Sequence, residues 1–586
     1  MISLEELTPQ TVKNMPQSKL PGLAASIRNF IINATAATGG HIGANLGTVE
    51  LTIALHYVFS SPEDAFLWDT GHQGYTHKII TGRAAQFPTL NTYGGMNRFV
   101  SCDESEHDIM EASHAGTSLS MGLGIALAKR IKGQQGWAVP VIGDGALCEG
   151  LAFEALNHIS AEPDAKVALV LNDNGYAISP GFGALHNYLQ SRPLGTGTQE
   201  TLFTSLGYET IGPVDGHNID ALIEAFTQVR ESGNTTLVHV KTCKGYGYAP
   251  ADNHPVRMHF SFPFQLETGT LKEPPATGSY QDVAAQAVGE IMDRDNNVAV
   301  ITPSTLYATG LTPVFERHPA RCFDPGMEEQ HAMTMAAGLA KAGVKPVVFY
   351  QSTFMQRAFD QLFHDICFAD LPIMMLAVRS GFAGYDNPTH HGIYDLSYLQ
   401  CLPNLRILYP KDGFELRAMV LQQMEKLCGP VLILMPYGPL DELDAAVLDE
   451  PEDQLLKPQV VLQGKDILLL TVGNKFVEAQ KAAAQLKEAG IDAGLVNIRQ
   501  VKPLEEEALI PLLSSYERIV TIEEGVLTGG FGASVAALLQ DRNIKAELLR
   551  IGLPCIFAEP GSNQELCEKY DLNSQGIVKR IKQRWS

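Results

Sequence analysis

The sequence predicts an α/β protein of three domains with mainly parallel sheets, and three observations lead there. Short runs rich in Val, Ile and Leu alternate from end to end with longer helical stretches, the runs are apolar at consecutive positions, and two segments of different composition interrupt the rhythm. Continuous apolar runs suit strands buried on both faces, as in parallel sheets whose crossover helices cover both sides. A chain of 586 residues also exceeds what one hydrophobic core organises.

The strand-like runs, in order, are VPVIGDG (139–145), KVALVLNDN (166–174), TTLVHVKT (235–242), NVAVITP (297–303), KPVVFYQ (345–351), LPIMMLAV (371–378), PVLILMPY (430–437), DILLLTVG (466–473) and RIVTIEE (518–524). Residues 261–280, rich in Pro, Gly and Thr, and the acidic, proline-bracketed residues 438–459 read as linkers. They cut the chain into 1–265, 280–437 and 460–586.

Composition narrows the function. With 43 Lys and Arg against 65 Asp and Glu the formal charge is −22, which argues against a broad nucleic-acid or anionic-membrane surface. Any site for a phosphorylated ligand must then be built locally, from glycines, histidines, a few arginines or a metal. The start, MISLEELTPQ, lacks signal-peptide features, and no apolar run approaches the ~20 residues that span a bilayer, so a cytoplasmic protein is expected. Nine cysteines without a CxxC pair are expected to be mostly reduced packing residues.

The stretch VIGDGALCEGLAFEALN (141–157) is a strand running through Gly-Asp-Gly into a helix. Gly143 and Gly145 allow positive φ or close approach, and a helix start offers N–H groups to phosphate. Asp144 opposes an anion there unless a cation lies between them. The next run, KVALVL, ends in Asn172-Asp173-Asn174. In a parallel sheet both turns lie at the carboxyl edge, where ligands bind. Asp144 and Asn174 can then give two oxygens to one hard cation such as Mg²⁺.

GDG followed about thirty residues later by that Asn resembles the thiamine diphosphate motif of the transketolase superfamily. The resemblance extends over nearly the whole chain and is strongest to the 1-deoxy-D-xylulose 5-phosphate synthase family. It is carried by GGHIGANLGTVELTIALHYVF (39–59), WDTGHQGYTHKIITGR (68–83), the GDG and NDN turns, GPVDGHN (212–218), KGYGY (244–248), EEQHAMTMAAGLA (328–340), YQSTFMQRAFDQ (350–361) and THHGIYDLSYL (389–399). It implies the transketolase-like thiamine diphosphate-binding fold of two cofactor-binding α/β domains and a C-terminal α/β domain, a homodimer, and thiamine diphosphate with Mg²⁺ as cofactors.

The resemblance also implies residue roles. Asp144, Asn174 and the Tyr176 carbonyl would hold Mg²⁺. Gly143, Gly145, Ala146, His114 and Lys244 would bind the cofactor, Phe354 would stack on its pyrimidine, and Glu329 would place a carboxyl against a ring nitrogen. His41, His72, His331 and His390 are the proton-handling candidates, with Asp386 beside His390. Arg357, Arg379, His259, Gln351 and Tyr437 fall at substrate positions. The implied reaction is decarboxylation of a 2-oxo acid such as pyruvate and transfer of the two-carbon unit to an aldehyde such as glyceraldehyde 3-phosphate. A ketol transfer from a sugar, as in transketolases, is the alternative enzyme, and a cofactor-binding regulatory protein without turnover is the alternative of another class.

Departures cluster on the acceptor side. Tyr437 and Cys102 stand where the family carries arginines, Gln351 stands for a tyrosine, and the chain around HNYLQSRPLGTGTQE is shorter than the family's segment. SHAGTS (113–118) and Glu149 look more like transketolases. A phenol replaces a guanidinium fork poorly, so acceptor choice is expected to move away from glyceraldehyde 3-phosphate, toward an unphosphorylated or differently sized aldehyde.

Overall fold

A computed structural model of the chain describes residues 3–162, 164–195, 200–273, 278–441, 443 and 445–585. These form two units, one from residues of 1–275 with Gly326–Glu328, the other from 276–325 with 329–586.

The first unit is built on a five-stranded sheet in the order Ala65–Trp68, Ala138–Gly143, Ala168–Asp173, Thr236–Lys241, Glu209–Asp215, every neighbouring pair parallel. Alternate residues separate two cores, as strand pleating requires. Phe66, Trp68, Val139, Val141 and Val170 pack with helices Leu20–Thr38, Val49–Val58 and Ile219–Ser232, whereas Ala65, Leu67, Ile142 and Leu171 pack with Ser118–Ile131 and Gly150–Ile159. Both faces are thus apolar, which is why the runs read as continuous.

The second unit holds two sheets. One runs Gln500–Lys502, Arg406–Leu408, Val431–Pro436, Met374–Ser380, Lys345–Gln351, Val298–Ile301, Cys322–Phe323, parallel except for the antiparallel edge pairing of Gln500–Lys502. The other runs Gln459–Leu462, Ala493–Ile498, Ile467–Val472, Arg518–Val526, Glu547–Leu553, with only Gln459–Leu462 antiparallel. Gln500–Lys502 leaves the strand Ala493–Ile498 and pairs in the other sheet, and one apolar cluster takes residues from both, Leu432 and Leu470 among them. That shared core makes them one unit.

All nine predicted strands are present, and the short or amphipathic ones escaped notice, Ala65–Trp68 and Glu209–Asp215 among them. The first linker is packed over part of its length. Phe264 is fully buried in the first unit's core, and the Ser261 N–H donates to the Gly40 carbonyl at 3.0 Å. Pro and Gly mark irregular backbone, which is not the same as unpacked backbone. Residues 274–277 of that segment, 442 and 444 of the other, and 196–199 of the shortened segment lie outside the described residues. The cysteine expectation needs correcting. None of the nine is in a disulfide, but only Cys322, Cys367 and Cys567 are buried.

Candidate functional site

In the first unit the predicted residues gather at the carboxyl edge of the sheet. Gly143 pairs with Asn172 at the end of adjacent strands, so the GDG and NDN turns emerge side by side. Neither Gly143 nor Gly145 adopts positive φ. Their use is space: a Cβ on Gly145 would stand 2.7 Å from the Ala177 Cβ, while one on Gly143 would meet nothing within 4 Å. Asp144 opens a short helix, Asp144–Leu147, with Ala146 buried behind it. The Asn174 N–H donates to the Asp144 carboxylate at 3.3 Å, and the Tyr176 N–H donates to the Asn174 side-chain oxygen at 3.0 Å. Lys244, buried, donates to the Ala177 carbonyl at 3.0 Å, with its ammonium 5.3 Å from the centre of the Tyr176 ring.

This edge is short of positive charge. Burial, and then Asp173 close by, push the Asp144 carboxyl up to about 7; burial brings Lys244 down to about 7 against the pull of Asp144. A cation would relieve the Asp144 carboxylate, and the open space at Gly143 leaves room for an anion beside it. The donor set is oxygen only, which suits Mg²⁺. Among the described residues no three or more His, Cys, Asp or Glu cluster to hold a metal.

Three of the predicted histidines meet in the same unit. The His41 ring lies 5.3 Å from His72 and 5.5 Å from His259, and His72 lies 5.2 Å from His259. His72 sits on a corner where Thr70 and Gly71 have φ of 53° and 23°, and its Nδ1 is 2.7 Å from the Thr70 carbonyl. That contact makes Nδ1 the protonated nitrogen and leaves Nε2 as an acceptor. Burial holds His72 down at about 4, and Lys244 adds to the effect; His259 is driven well below its ordinary value by burial and then by Lys244, His72 and His41. His72 and His259 are therefore neutral proton acceptors near pH 7. His259 Nδ1 is sealed from solvent and meets no hydrogen-bond partner among the described residues. His114 lies half-buried on the loop before helix Ser118–Ile131.

Asn45, which sequence reasoning missed, ties this arrangement together. Fully buried, it donates to the carbonyls of His41 and His72, each at 2.6 Å, and accepts from the Tyr75 N–H at 2.7 Å. The Tyr75 hydroxyl then accepts from the His41 N–H at 3.2 Å. An Asn four residues after His41 in an otherwise small and apolar stretch was the available signal.

In the second unit Glu329 is buried at the start of helix Glu329–Lys341, and its carbonyl accepts from the Tyr350 hydroxyl at 2.9 Å. His331, two residues on, is exposed. Phe354 meets His390 edge to face at 5.5 Å, and the Thr353 hydroxyl donates to the Thr389 carbonyl at 2.6 Å, joining the two loops. Arg357 is half-buried in the turn after Phe354. Three predicted residues, Asp386, Gln351 and Tyr437, surround the guanidinium of a fourth, Arg379. Arg379, at a φ of 64°, is paired with Asp386, donates to the Ala383 carbonyl at 2.6 Å and to the Gln351 side chain at 3.5 Å, and lies 4.6 Å from the centre of the Tyr437 ring. Cys102, in the first unit, is exposed, and burial of its sulfur, with Glu111 next, raises its thiol.

A family model described as 1-deoxy-D-xylulose-5-phosphate synthase matches residues 4–199 and 194–242, one for the transketolase pyrimidine-binding domain matches 277–441, and one for the transketolase C-terminal domain matches 457–577. The chain is 39% identical to the 1-deoxy-D-xylulose-5-phosphate synthase of Desulfotalea psychrophila, covering 97% of this chain and 94% of that one. It is 40% identical to the enzymes so named of Shouchella clausii, covering 98% of both chains, and Listeria monocytogenes, covering 98% of this chain and 96% of that one.

Proposed function

The chain belongs to the 1-deoxy-D-xylulose-5-phosphate synthase family, and from that premise we propose that it is a thiamine diphosphate- and Mg²⁺-dependent transferase that decarboxylates pyruvate and joins the two-carbon unit to an aldehyde. The observation that carries this reading is the buried, cation-deficient pairing of Asp144 with Asn174 beside three clustered imidazoles, of His41, His72 and His259, on one sheet edge.

Thiamine diphosphate, when bound, supplies a carbon nucleophile and an electron sink. The protein's contribution is orientation and protons. Asp144, Asn174 and the Tyr176 carbonyl would hold the cation; Gly143, Gly145, Ala146, His114 and Lys244 would shape the place for diphosphate. Glu329 would offer a carboxyl, and Phe354 a flat apolar face, to the aminopyrimidine. His72 and His259, neutral near pH 7, and His41 against them would accept and return protons at the substrate's oxygens, and His390 with Asp386 would do so toward the acceptor. Within this reading the chain divides into a diphosphate-binding domain, 1–265, a pyrimidine-binding domain, 280–437, and a C-terminal domain, 460–586. No helix of the described residues is long and apolar enough to cross a membrane; a cytoplasmic homodimer is the assembly proposed.

The test is donor choice. Protein loaded with thiamine diphosphate and Mg²⁺ is given pyruvate, or a ketose phosphate, with glyceraldehyde 3-phosphate or glyceraldehyde. Acceptor-dependent CO₂ release from pyruvate is expected. Aldehyde release from the ketose in its place would establish the ketol-transferase reading, and turnover of neither donor would overturn both.

A further inference from the structure

The motif GPVDGHN (212–218) ends the strand Glu209–Asp215 and turns into the helix Ile219–Ser232, at the carboxyl edge of the first sheet. Three of its residues build the turn. The Asp215 side chain accepts from the His217 N–H at 2.9 Å, and the Asn218 side chain caps the helix by accepting from the Ala221 N–H at 3.1 Å. Gly216 admits the neighbouring chain, since a Cβ there would stand 2.5 Å from the Thr242 Cγ2. The His217 imidazole serves none of these ends.

It reaches the segment that carries Lys244. The strand Thr236–Lys241 stops just before Thr242, so the backbone beyond it needs partners outside the ladder. The Thr242 N–H donates to the Asp173 carbonyl at 2.9 Å, and the Cys243 N–H donates to His217 Nε2, also at 2.9 Å. A backbone N–H can only donate, so Nε2 is the accepting nitrogen and the ring proton sits on Nδ1. Nδ1 lies 3.3 Å from the Glu50 carboxylate. Burial works to raise the Glu50 carboxyl, but the hydrogen bonds from His217 and then Arg28 outweigh it and hold it below the ordinary carboxylate value. An ionised carboxylate accepts only, which agrees with a proton on Nδ1.

Arg28 closes the arrangement. One terminal nitrogen donates to both Glu50 oxygens at 2.7 Å, and its Nε donates to the Tyr246 carbonyl at 3.0 Å. The Tyr246 ring stacks on His217, centroids 3.6 Å apart and planes at 15°. Arg28, Glu50 and His217 all have largely buried side chains. The backbone is thus gripped at the N–H just before Lys244 and again at Tyr246, and between these points the buried Lys244 donates to the Ala177 carbonyl at 3.0 Å.

We infer that His217 is a positioning residue for the cofactor's diphosphate: with its tautomer set by Glu50, it fixes the Cys243 backbone and so aims the Lys244 ammonium. This rests on the proposed reading in which Lys244 binds diphosphate. An imidazole tied at Nδ1 to a buried carboxylate keeps its Nε2 lone pair toward Cys243. A lysine needs such an anchor, because its flexible four-carbon stem does little to hold the charge in place.

The experiment is a double-mutant cycle on binding. Affinity for thiamine diphosphate with Mg²⁺ is measured calorimetrically in the parent, His217→Phe, Lys244→Ala and the double variant, with His217→Gln beside them. His217→Phe keeps a flat ring against Tyr246 and lacks the accepting nitrogen. It is expected to lose about tenfold in affinity, against less than about twofold in the Lys244→Ala background. His217→Gln, which offers an oxygen near the place of Nε2, should recover most of the loss. Nitrogen NMR of histidine-labelled protein should show the His217 proton on Nδ1. Equal losses with and without Lys244 overturn the inference, since the histidine would then act on the fold at large, and so does a proton on Nε2. Coupling in a protein that releases no CO₂ from pyruvate supports the positioning role while the transferase reading fails; additive losses in a protein that does release it leave that reading intact. A parent that binds no thiamine diphosphate overturns both. Circular dichroism identifies a variant that does not fold, and His217→Asn, too short to reach Cys243, then takes the place of His217→Phe in the cycle.

Discussion

The carboxyl edge of the first sheet and the Arg379 cluster of the second unit handle buried charge in opposite ways. At the sheet edge burial and the nearby Asp173 raise the Asp144 carboxyl while burial lowers Lys244, and a buried imidazole nitrogen on His259 meets no hydrogen-bond partner among the described residues. Around Arg379 the charge is compensated within the protein: Asp386 neutralises it, the Ala383 carbonyl and Gln351 accept from it, and Tyr437 covers its face, while its Nε meets no hydrogen-bond partner among the described residues. An unbalanced edge is completed by a ligand, whereas a balanced ion pair gives up its partner only at a cost. The persistence of an arginine in a sequence is therefore weak evidence that it holds substrate. Its partners decide.

The comparison can be broken most forcefully at Glu329, a buried carboxyl on a helix start. Glu329→Gln should leave thiamine diphosphate binding within a few-fold while slowing proton exchange at the cofactor's reactive carbon by roughly 10²–10⁴, read by NMR in deuterated water. Exchange at the parent rate would remove the residue's role. Next is the unbalanced edge itself. Asp144→Ala should weaken joint binding of thiamine diphosphate and Mg²⁺ by about a hundredfold with an unchanged apo-protein melting profile, because the residue sits on a turn; calorimetry that finds parent affinity dismisses the metal assignment.

Asn45 sharpens the contrast from the side of structure. Asn45→Ala strands two carbonyls and an N–H that the buried amide satisfies, so the first unit should lose about 3 kcal/mol in urea unfolding. A loss below ~1 kcal/mol would show that the histidines hold their places without it.

A gentler probe is pH. His72 has a folded-state value of about 4 against 6.5 for an ordinary imidazole, so the unfolded chain takes up a proton first as pH falls. Its contribution to stability is complete above about 6.5, declines between 6.5 and 4, and is level below that. Discounted for partial exposure, the decline amounts to roughly 2 kcal/mol. His72→Asn should show a correspondingly shallower loss over that window, and parallel curves for parent and variant would contradict a neutral His72. The smallest effect belongs to Tyr437, which is 36% exposed. Tyr437→Leu removes a cation–π contact worth about 0.5–1 kcal/mol, and the acceptor KM should move by less than about fivefold; a larger change would show that the phenol touches substrate.

Much of this was legible in the residues. The nine long apolar runs became strands because burial on both faces requires apolar residues at every position, and that requirement is written locally. The GDG and NDN turns were legible for the same reason, since a strand end followed by turn and helix chemistry needs no distant partner to be recognised. Glycine's purpose was not: only the packed loop shows that Gly145 exists to admit Ala177 and that Gly143 faces open space.

What tertiary structure alone decided is which polar groups face one another. Asn45, Arg98 and Phe260 carry no local signature, because an amide, a guanidinium and a phenyl ring take their meaning from partners distant along the chain, Asn45 from the His72 carbonyl and Phe260 from Arg98 and His41. The sequence by itself determined the α/β architecture, the family and the edge where chemistry belongs, since hydrophobic periodicity and turn chemistry act over short spans of chain. Charge compensation acts through space, falling off over a few ångströms regardless of sequence distance, so the pairing of Arg379 with Asp386, the neutrality of His72 and His259 and the meeting of their rings with His41 became visible only once the chain was folded.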